Sequence, residues 1–184
     1  MISTGNILRE AIKDDTPLGQ SVKSFVNAGK LVPDDIIVGV ISERLGKSDL
    51  GGSFLLDGFP RTVAQAEALE DMGIEVDHVL SLEVADSEIE RRMSSRRTCL
   101  GCGATYHTEF KPPVKDGICD QCGGTVVMRP DDAPETVRAR LAIYHEQTEP
   151  VKGYYEAAGK LISVPAVGDI GGINQRILEL IGVR

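Results

Sequence analysis

Four cysteines form the pattern with the most definite chemistry in this sequence. They occur as two Cys-x-x-Cys pairs, Cys99 with Cys102 and Cys119 with Cys122, with sixteen residues between the pairs. Each short turn directs two thiolates to one point, and two such turns complete the tetrahedral ligand set of a structural Zn²⁺ ion. Disulfides are the alternative, but a reducing cytoplasm keeps thiols free, so the spacing favours zinc; iron or cobalt would suit the same ligands. Four thiolates leave no open coordination position, which predicts that the ion holds shape and performs no chemistry.

Arginines form the second pattern. The net charge of -8 argues against a nucleic-acid partner, because phosphate backbones favour a basic surface. Seven of the twelve arginines nonetheless lie between positions 91 and 140. A guanidinium group stays charged and binds phosphate through two parallel hydrogen bonds, so this clustering predicts an anionic ligand. The alternative is a solvated helical surface paired with nearby carboxylates. The seven are Arg91, Arg92, Arg96, Arg97, Arg129, Arg138 and Arg140.

The apolar pattern predicts the elements that position these groups. Helical repeats occur at about residues 7–12, 18–26, 36–45, 62–72, 87–97, 134–158 and 172–182. Short unbroken apolar runs, typical of strands buried on both faces, occur at 54–56, 79–84 and 160–166. Strands that alternate with helices predict an α/β fold, a parallel sheet with helices on both faces, whose ligands lie beyond the carboxyl ends of the strands. The stretch 98–128 interrupts this pattern and predicts a small inserted β subdomain.

The beginning of the chain, STGN at 3–6, predicts a helix start in which a Ser or Thr hydroxyl accepts a hydrogen bond from a first-turn amide. No apolar run approaches the length of a membrane span, and no secretory signal precedes the helix. We therefore expect a cytoplasmic protein that does not enter a membrane.

The motifs together resemble the long type of adenylate kinase, whose ATP-covering lid carries zinc. They are STGNILR at 3–9, GKLVPDD at 29–35, LLDGFPRT at 55–62, ERRMSSRR at 90–97, the two cysteine pairs, and RPDDAPETVRARL at 129–141. The resemblance implies the P-loop NTPase-like fold of a nucleoside monophosphate kinase. It places the core in residues 1–97 and 129–184, the AMP-binding helices at about 3–46 and the zinc lid at 98–128. Guanylate and uridylate kinases share the general plan, but GFPR followed by Gln65 and the zinc lid favour AMP.

The resemblance implies the reaction MgATP + AMP = 2 ADP, with ATP, AMP and ADP as the partners and Mg²⁺ bound with ATP. It implies AMP contacts from twelve residues, namely Thr4, Arg9, Lys30, Leu31, Val32, Gly58, Phe59, Pro60, Arg61, Gln65, Arg129 and Arg140. ATP would be met by Arg92 and Arg96, four apart on one helical face, and by Tyr106 and Gly168. The implied catalytic residues are Arg61, Arg96, Arg129 and Arg140, with Asp57 ordering the waters around magnesium.

One family motif has no counterpart in the 184 residues: the phosphate-binding loop G-x-x-x-x-G-K-[ST]. The GKS at 46–48 lacks the preceding glycine-rich loop and suggests a helix end, and Asn6 stands where the family usually has aspartate. We therefore expect a truncated adenylate kinase with severely impaired transfer, which is a monomer if the missing first strand is supplied. A protein that binds AMP without transferring phosphate is an alternative. A zinc-ribbon docking module is another, although the acidic balance argues against RNA.

Overall fold

The computed structural model describes residues 1–46 and 53–182. Residues 47 and 48 of the GKS segment therefore lie outside the described residues. The contacts divide the chain into a first unit, Met1–Val26, Lys30–Val84 and Ala142–Arg184, and a second unit, Asn27–Gly29 and Ala85–Leu141. The elements in chain order are β1 (Ile2–Ser3), α1 (Thr4–Lys13), α2 (Pro17–Asn27), α3 (Asp34–Leu45), β2 (Leu56–Asp57), α4 (Val63–Asp71), β3 (Val79–Glu83), α5 (Asp86–Ser95), β4 (Arg96–Cys99), β5 (Thr105–His107), β6 (Val126–Val127), α6 (Pro134–Ile143), α7 (Glu149–Ala157), β7 (Leu161–Pro165) and α8 (Ile170–Leu180).

The strands of the first unit are parallel, as the alternation of strands and helices predicts. In the described residues they form two separate pairs, β1 with β2 and β3 with β7. The pair β3 and β7 runs in register from Val79 opposite Leu161 to Glu83 opposite Pro165. The strand predicted at 54–56 is shifted, because only Leu56 and Asp57 pair with β1. Its first two residues are exposed instead of buried.

The main apolar core of the first unit lies where α1, α2 and α3 meet β1 and α4. The predicted helical repeats supply five of its eight buried side chains, and Ile2, Val32 and Phe59 come from β1 and two loops. The five are Leu8, Val22, Ile37, Ile41 and Leu69. Helices α1 and α2 approach closely at Gly19, where a Cβ atom would lie 2.0 Å from the carbonyl oxygen of Ala11. Only glycine fits this contact, so the sequence at position 19 sets how closely the two helices pack. A smaller cluster around Ala66, Val151 and Tyr155 joins α4 to α7.

The side-chain hydrogen bond predicted to cap the first helix does not form. Ser3 occupies the cap position of α1 but makes no side-chain cap hydrogen bond. The hydroxyl of Thr4 instead donates to the carbonyl oxygens of Asp57, at 3.2 Å, and Gly58, at 2.9 Å. Thr4 is buried, and these carbonyl oxygens just beyond β2 need donors that the short β1–β2 ladder does not provide.

The long helix predicted at 134–158 is interrupted. Helix α6 ends at Ile143, one π-helical turn covers Tyr144–Thr148, and α7 begins at Glu149. Pro150 lies in the first turn of α7. Since proline has no N–H to donate to the preceding turn, the α-helical ladder cannot run through this position, and the wider turn absorbs the break. The predicted helix at 87–97 also ends early, at Ser95, and Arg96 begins β4.

The second unit contains a three-stranded antiparallel sheet in the order β5, β4, β6. Arg96 pairs with His107, and Cys99 pairs with Val126. This sheet begins at Arg96, two residues before the region predicted to be an inserted β subdomain, and otherwise lies within that region. We call residues 98–128 the cysteine subdomain. The domain bounds given by the resemblance remain a prediction. No helix among residues 1–46 and 53–182 has both the length and the apolarity needed to cross a membrane.

Candidate functional site

The four cysteines converge, as their spacing predicts. Their sulfur atoms all lie within 4.8 Å of one another. The shortest distances cross between the pairs, 3.4 Å from Cys99 to Cys122 and 3.6 Å from Cys102 to Cys119. A tetrahedral ion with Zn–S bonds of about 2.3 Å requires sulfur atoms roughly 3.8 Å apart, so the arrangement fits a Zn²⁺ ion. All four thiols are free, which contradicts the disulfide alternative.

Two glycines leave room for the sulfur atoms. A Cβ atom at Gly101 would lie 3.3 Å from the sulfur of Cys122, and one at Gly124 would lie 3.2 Å from the sulfurs of Cys99 and Cys122. The backbone N–H of Gly101 also donates to the sulfur of Cys99 at 3.3 Å. Backbone amides directed at sulfur stabilise thiolates, the form in which cysteine binds a metal. The local backbone therefore favours a metal site over four unrelated thiols.

The structure places Tyr106 in the core of the cysteine subdomain. The side chain is buried with Cys99, Cys119 and Val126. Its hydroxyl lies 3.3 Å from the sulfur of Cys119. The hydrogen bond from Tyr106 lowers the pKa of the Cys119 thiol to about 6. The tyrosine ring is enclosed and its hydroxyl is engaged, and the place of Tyr106 in the ATP site stays a prediction.

A second group of charged residues in the second unit brings together three of the predicted phosphate-binding arginines. The turn Pro130–Asp132, just before α6, presents two aspartates to them. Asp132 is completely buried and accepts from Arg96 on both oxygens, with Nε 2.9 Å from Oδ2. Asp131 accepts from Arg129 at 3.1 and 2.8 Å and from Arg140 at 3.4 Å. We call these five residues the arginine–aspartate cluster.

This cluster carries three positive and two negative charges. Its two hydrogen-bonded groups, one on each aspartate, are linked by an ion pair of 3.9 Å between Arg129 and Asp132. Each carboxylate fixes the direction of a guanidinium plane, and each guanidinium has five N–H donors, so donors remain for an anion. Asp131 and Asp132 were not among the predicted site residues. Their signal was present as two adjacent aspartates between Arg129 and Arg140. Neighbouring arginines repel one another, so two acidic residues among predicted phosphate-binding arginines indicate carboxylates that hold the arginines together.

Arg92 does not lie beside Arg96 on a helical face, because α5 ends at Ser95. Its Nε donates to Glu88 at 2.7 Å, within the same helix. Hydrogen bonds first from Arg91 and then from Arg92 lower the pKa of Glu88 to about 2. The arginines of residues 91 to 140 that bond carboxylates therefore fall into two groups, and the predicted binding of an anion stays a prediction. Arg91 and Arg92 form helix-surface pairs, whereas Arg96 belongs to the arginine–aspartate cluster.

The first unit places several predicted AMP-binding residues together after β2. Arg61 directs its Nε to the carbonyl oxygen of Gly58 at 2.9 Å. Gly58 has φ of +73°, and a Cβ atom there would lie 2.8 Å from a terminal nitrogen of Arg61 and 3.1 Å from the Thr4 hydroxyl. The carbonyl of Gly58 thus holds Thr4 and Arg61 at one point, and only glycine permits that turn. Asp57 lies exposed at the carboxyl end of β2, as predicted.

Gln65 is buried and bonded at both ends of its amide. Its Oε1 accepts from the backbone N–H of Arg61 at 2.7 Å, and its Nε2 donates to Asp34 at 2.6 Å. The other oxygen of Asp34 accepts from the Thr62 hydroxyl at 3.1 Å, and Thr62 caps α4. These contacts fix the orientation of the amide, because the backbone N–H requires the carbonyl end and the carboxylate requires the amino end. Nothing in the sequence predicts that Asp34 contacts Thr62 and Gln65, since these partners lie about thirty positions away.

The remaining predicted nucleotide-binding residues do not share the contacts around Gly58 and Gln65. Arg9 donates to the side chain of Asn6 at 2.6 Å. The asparagine that stands where the family usually has aspartate therefore contacts a residue predicted to bind AMP. Lys30 is exposed, whereas the side chains of Val32 and Phe59 belong to the apolar core and leave little surface for a ligand. Leu31 and Pro60 are half-buried near them. Gly168 lies exposed in the loop between β7 and α8.

Comparison with known proteins gives a consistent result. The family described as adenylate kinase matches residues 1–160. Among individual relatives, the adenylate kinase of Caldicellulosiruptor bescii is 47% identical over 187 residues, which cover 100% of this chain and 87% of the relative. That of Bacillus licheniformis is 46% identical over 187 residues, covering 100% and 86%. That of Geotalea daltonii is 48% identical over 184 residues, covering 98% and 86%.

Parallel strands with connecting helices, together with a small cysteine-bearing β subdomain, define an α/β protein of the P-loop NTPase-like class. The chain belongs to the adenylate kinase family.

Proposed function

We propose that this chain binds MgATP and AMP and catalyses the reversible transfer of one phosphoryl group between them, giving two ADP. The observation that carries the proposal is the arginine–aspartate cluster. Phosphoryl transfer asks the protein mainly for positioning and for positive charge around the equatorial oxygens, and arginine supplies both. Magnesium arrives with ATP and neutralises charge on its phosphates.

The residues of the cluster have distinct proposed roles. Arg96 contacts the phosphates of ATP, and Arg129 and Arg140 contact the transferred group and AMP. The two aspartates hold these guanidinium groups in place before substrate arrives, which reduces the ordering cost when an anion binds. No side-chain base is needed, since the attacking oxygen of AMP is already an anion.

We propose that the contacts after β2 form the AMP site. Arg61, held by the carbonyl of Gly58, binds the AMP phosphate, and Gln65 contacts the adenine with Thr4 and Arg9 nearby. Gln65 keeps one amide N–H outside its bond to Asp34, and that donor suits a nitrogen acceptor on the adenine edge. Asp57 orders water around the magnesium. A coupled assay of diphosphate formation from MgATP, with AMP, GMP or UMP as the acceptor, tests the choice of base. AMP should be the preferred acceptor.

Arginine-to-lysine variants test the role of the cluster. A coupled assay measures ADP formed from MgATP and AMP by the chain and by its Arg129→Lys and Arg140→Lys variants. Each variant loses a fork-shaped contact, and a charged hydrogen bond contributes about 1.5–3 kcal/mol, so turnover should fall roughly ten- to a hundredfold. Arg138 lies exposed on the same helix as Arg140, which makes Arg138→Lys the matched control. Equal activity in all three variants would contradict the proposal.

We also propose that the 184 residues alone transfer phosphate slowly. They contain no G-x-x-x-x-G-K-[ST] loop, whose amides and lysine hold ATP phosphates in proteins that have it. The second candidate function is AMP binding without transfer, and the same observation favours it. The assay is therefore run beside a chain extended at its amino terminus by a strand and such a loop. Calorimetric AMP binding without ADP formation in either chain would favour the second candidate.

The cysteine subdomain has a proposed structural role. Cys99, Cys102, Cys119 and Cys122 would hold one Zn²⁺ ion, which cross-links the two ends of a segment whose own core is small. Reduced thiols are required for this, so we propose a cytoplasmic location, and we propose that the protein acts as a monomer. Metal analysis of the purified protein tests the ligand set, with one zinc per chain expected and none after Cys122→Ser.

A further inference from the structure

Tyr106 links β5 to the second Cys-x-x-Cys turn. Its side chain is 4% exposed and packs among Cys99, Cys119 and Val126. The hydroxyl lies 3.3 Å from the sulfur of Cys119. A buried hydroxyl needs hydrogen-bond partners, and this one has its partners in the metal-binding turn itself.

The direction of this hydrogen bond follows from a second contact. The backbone N–H of Asp120 donates to the Tyr106 oxygen at 2.8 Å. The oxygen is therefore an acceptor on that side, and its single proton is free to point at the sulfur. A cysteine that binds a metal is a thiolate and has no proton to give. When an ion is bound, the hydroxyl must be the donor and the sulfur the acceptor.

Cys119 thus differs from the other three ligands. The sulfur of Cys99 accepts a backbone N–H from Gly101. In the part of the chain that the structure describes, Tyr106 is the one side chain outside the cysteines that we find bonded to a sulfur of this site. Partners of metal ligands fix the direction of the ligand atom and tune its charge, and they contribute much of the affinity of a site.

We propose that Tyr106 is a positioning residue of the four-cysteine metal site. It holds the Cys119 sulfur in the tetrahedral direction and withdraws negative charge from it, which tightens retention of the ion. This inference rests on the proposed metal occupancy and is independent of phosphoryl transfer. It gives Tyr106 a function in the metal site that is separate from its predicted place in the ATP site.

The test compares the full chain with its Tyr106→Phe variant, which keeps the ring and removes only the hydroxyl. Zinc affinity is measured by competition with a chromophoric chelator, and we expect a loss of roughly ten- to a hundredfold. Tyr155→Phe is the matched control, because Tyr155 is also buried and its hydroxyl has no hydrogen-bond partner in the described structure. The control should bind zinc as the unchanged chain does.

Cobalt provides a readout that general loosening of the fold would not reproduce. In the Co²⁺-loaded protein, the sulfur-to-metal charge-transfer band depends on the energy of the sulfur lone pair. Removing a donated hydrogen bond raises that energy, so Tyr106→Phe should move the band to longer wavelength. Fluorotyrosine at position 106 keeps the hydroxyl and donates more strongly, so it should move the band to shorter wavelength.

Three outcomes would overturn the inference. Unchanged zinc affinity together with an unmoved cobalt band in Tyr106→Phe would show that the hydroxyl does not act on the sulfur. If that variant fails to fold, an unmoved band in the fluorotyrosine protein would show the same. A full chain that binds neither Zn²⁺ nor Co²⁺ would overturn the metal site and the role of Tyr106 together, while leaving the proposed kinase activity untouched.

Discussion

Replacing Asp132 with asparagine should remove the ion pair between residues 132 and 96 in the arginine–aspartate cluster. The side chain of Asp132 has 0% exposure and accepts from Arg96 on both of its oxygens. Asparagine has nearly the same volume but no charge, so the change removes the counter-charge without leaving a cavity. The guanidinium of Arg96 would keep only one acceptor of the two it now has.

The size of the effect follows from the burial of the two partners. Breaking a fully buried ion pair costs about 3–5 kcal/mol, because the remaining charge is left without compensation. The side chain of Arg96 is 23% exposed, so water recovers part of that cost. We therefore expect a coupling energy of about 2 kcal/mol between the two residues, which lies well above the roughly 0.2–1 kcal/mol typical of exposed pairs.

A double-mutant cycle measures this coupling. Urea unfolding is recorded for the unchanged chain, Asp132→Asn, Arg96→Met and the double variant. The matched control is the cycle of Arg91→Met and Glu109→Gln, since that ion pair is exposed on both sides, at 45% and 55%. A coupling energy for the buried pair no larger than that of the exposed pair would refute the role of Asp132 as an organising charge.

Other positions give sharp expectations. Gly19→Ala should destabilise the fold by about 2–4 kcal/mol by forcing α1 from α2, whereas Gly39→Ala, whose Cβ atom meets nothing within 4 Å, should be neutral or stabilising by up to about 1 kcal/mol in thermal unfolding. Asp34→Ala should release the Gln65 amide and raise the Michaelis constant for AMP about tenfold with little change for ATP; equal changes for both would contradict the assignment. Chelation of the metal should unfold the cysteine subdomain, seen as faster amide exchange there but not in α1–α3. The hydrogen bond from Lys152 lowers the pKa of Glu83 below 4.5, so its contribution is present above pH 4.5 and is lost as pH falls through the lower folded-state value. Since Glu83 is 42% exposed, Glu83→Gln should cost less than about 0.5 kcal/mol at neutral pH.

Features encoded over short distances in the chain were predictable. The two Cys-x-x-Cys pairs predicted the convergence of the four sulfur atoms, because two residues between cysteines fix the geometry of a turn whatever surrounds it. The helical repeats gave α2 and α3 almost to the residue. The parallel strands followed from the alternation of helices with apolar runs.

Features that depend on distant partners were not predictable. The Thr4 hydroxyl prefers carbonyl oxygens more than fifty positions away to a cap in its own helix. Helical periodicity alone could not show that Arg96 starts a strand, because its neighbours carry no apolar signal. Asp34 reaches Gln65, and Tyr106 reaches Cys119, through folding of the backbone rather than through spacing. In each case a buried polar group selects a partner that sequence order does not bring near.

The two strand pairs of the first unit have a practical consequence. Within the described residues each pair has two strands, so each strand has one edge without a neighbouring strand. Leu55, just before β2, and Leu82, in β3, have more than half of their surface in water. Such edges can recruit an extended segment of another molecule. Concentrated samples should consequently aggregate on storage, and the rate should rise steeply with protein concentration. Dilute samples kept cold should remain dispersed for longest, because apolar association weakens on cooling.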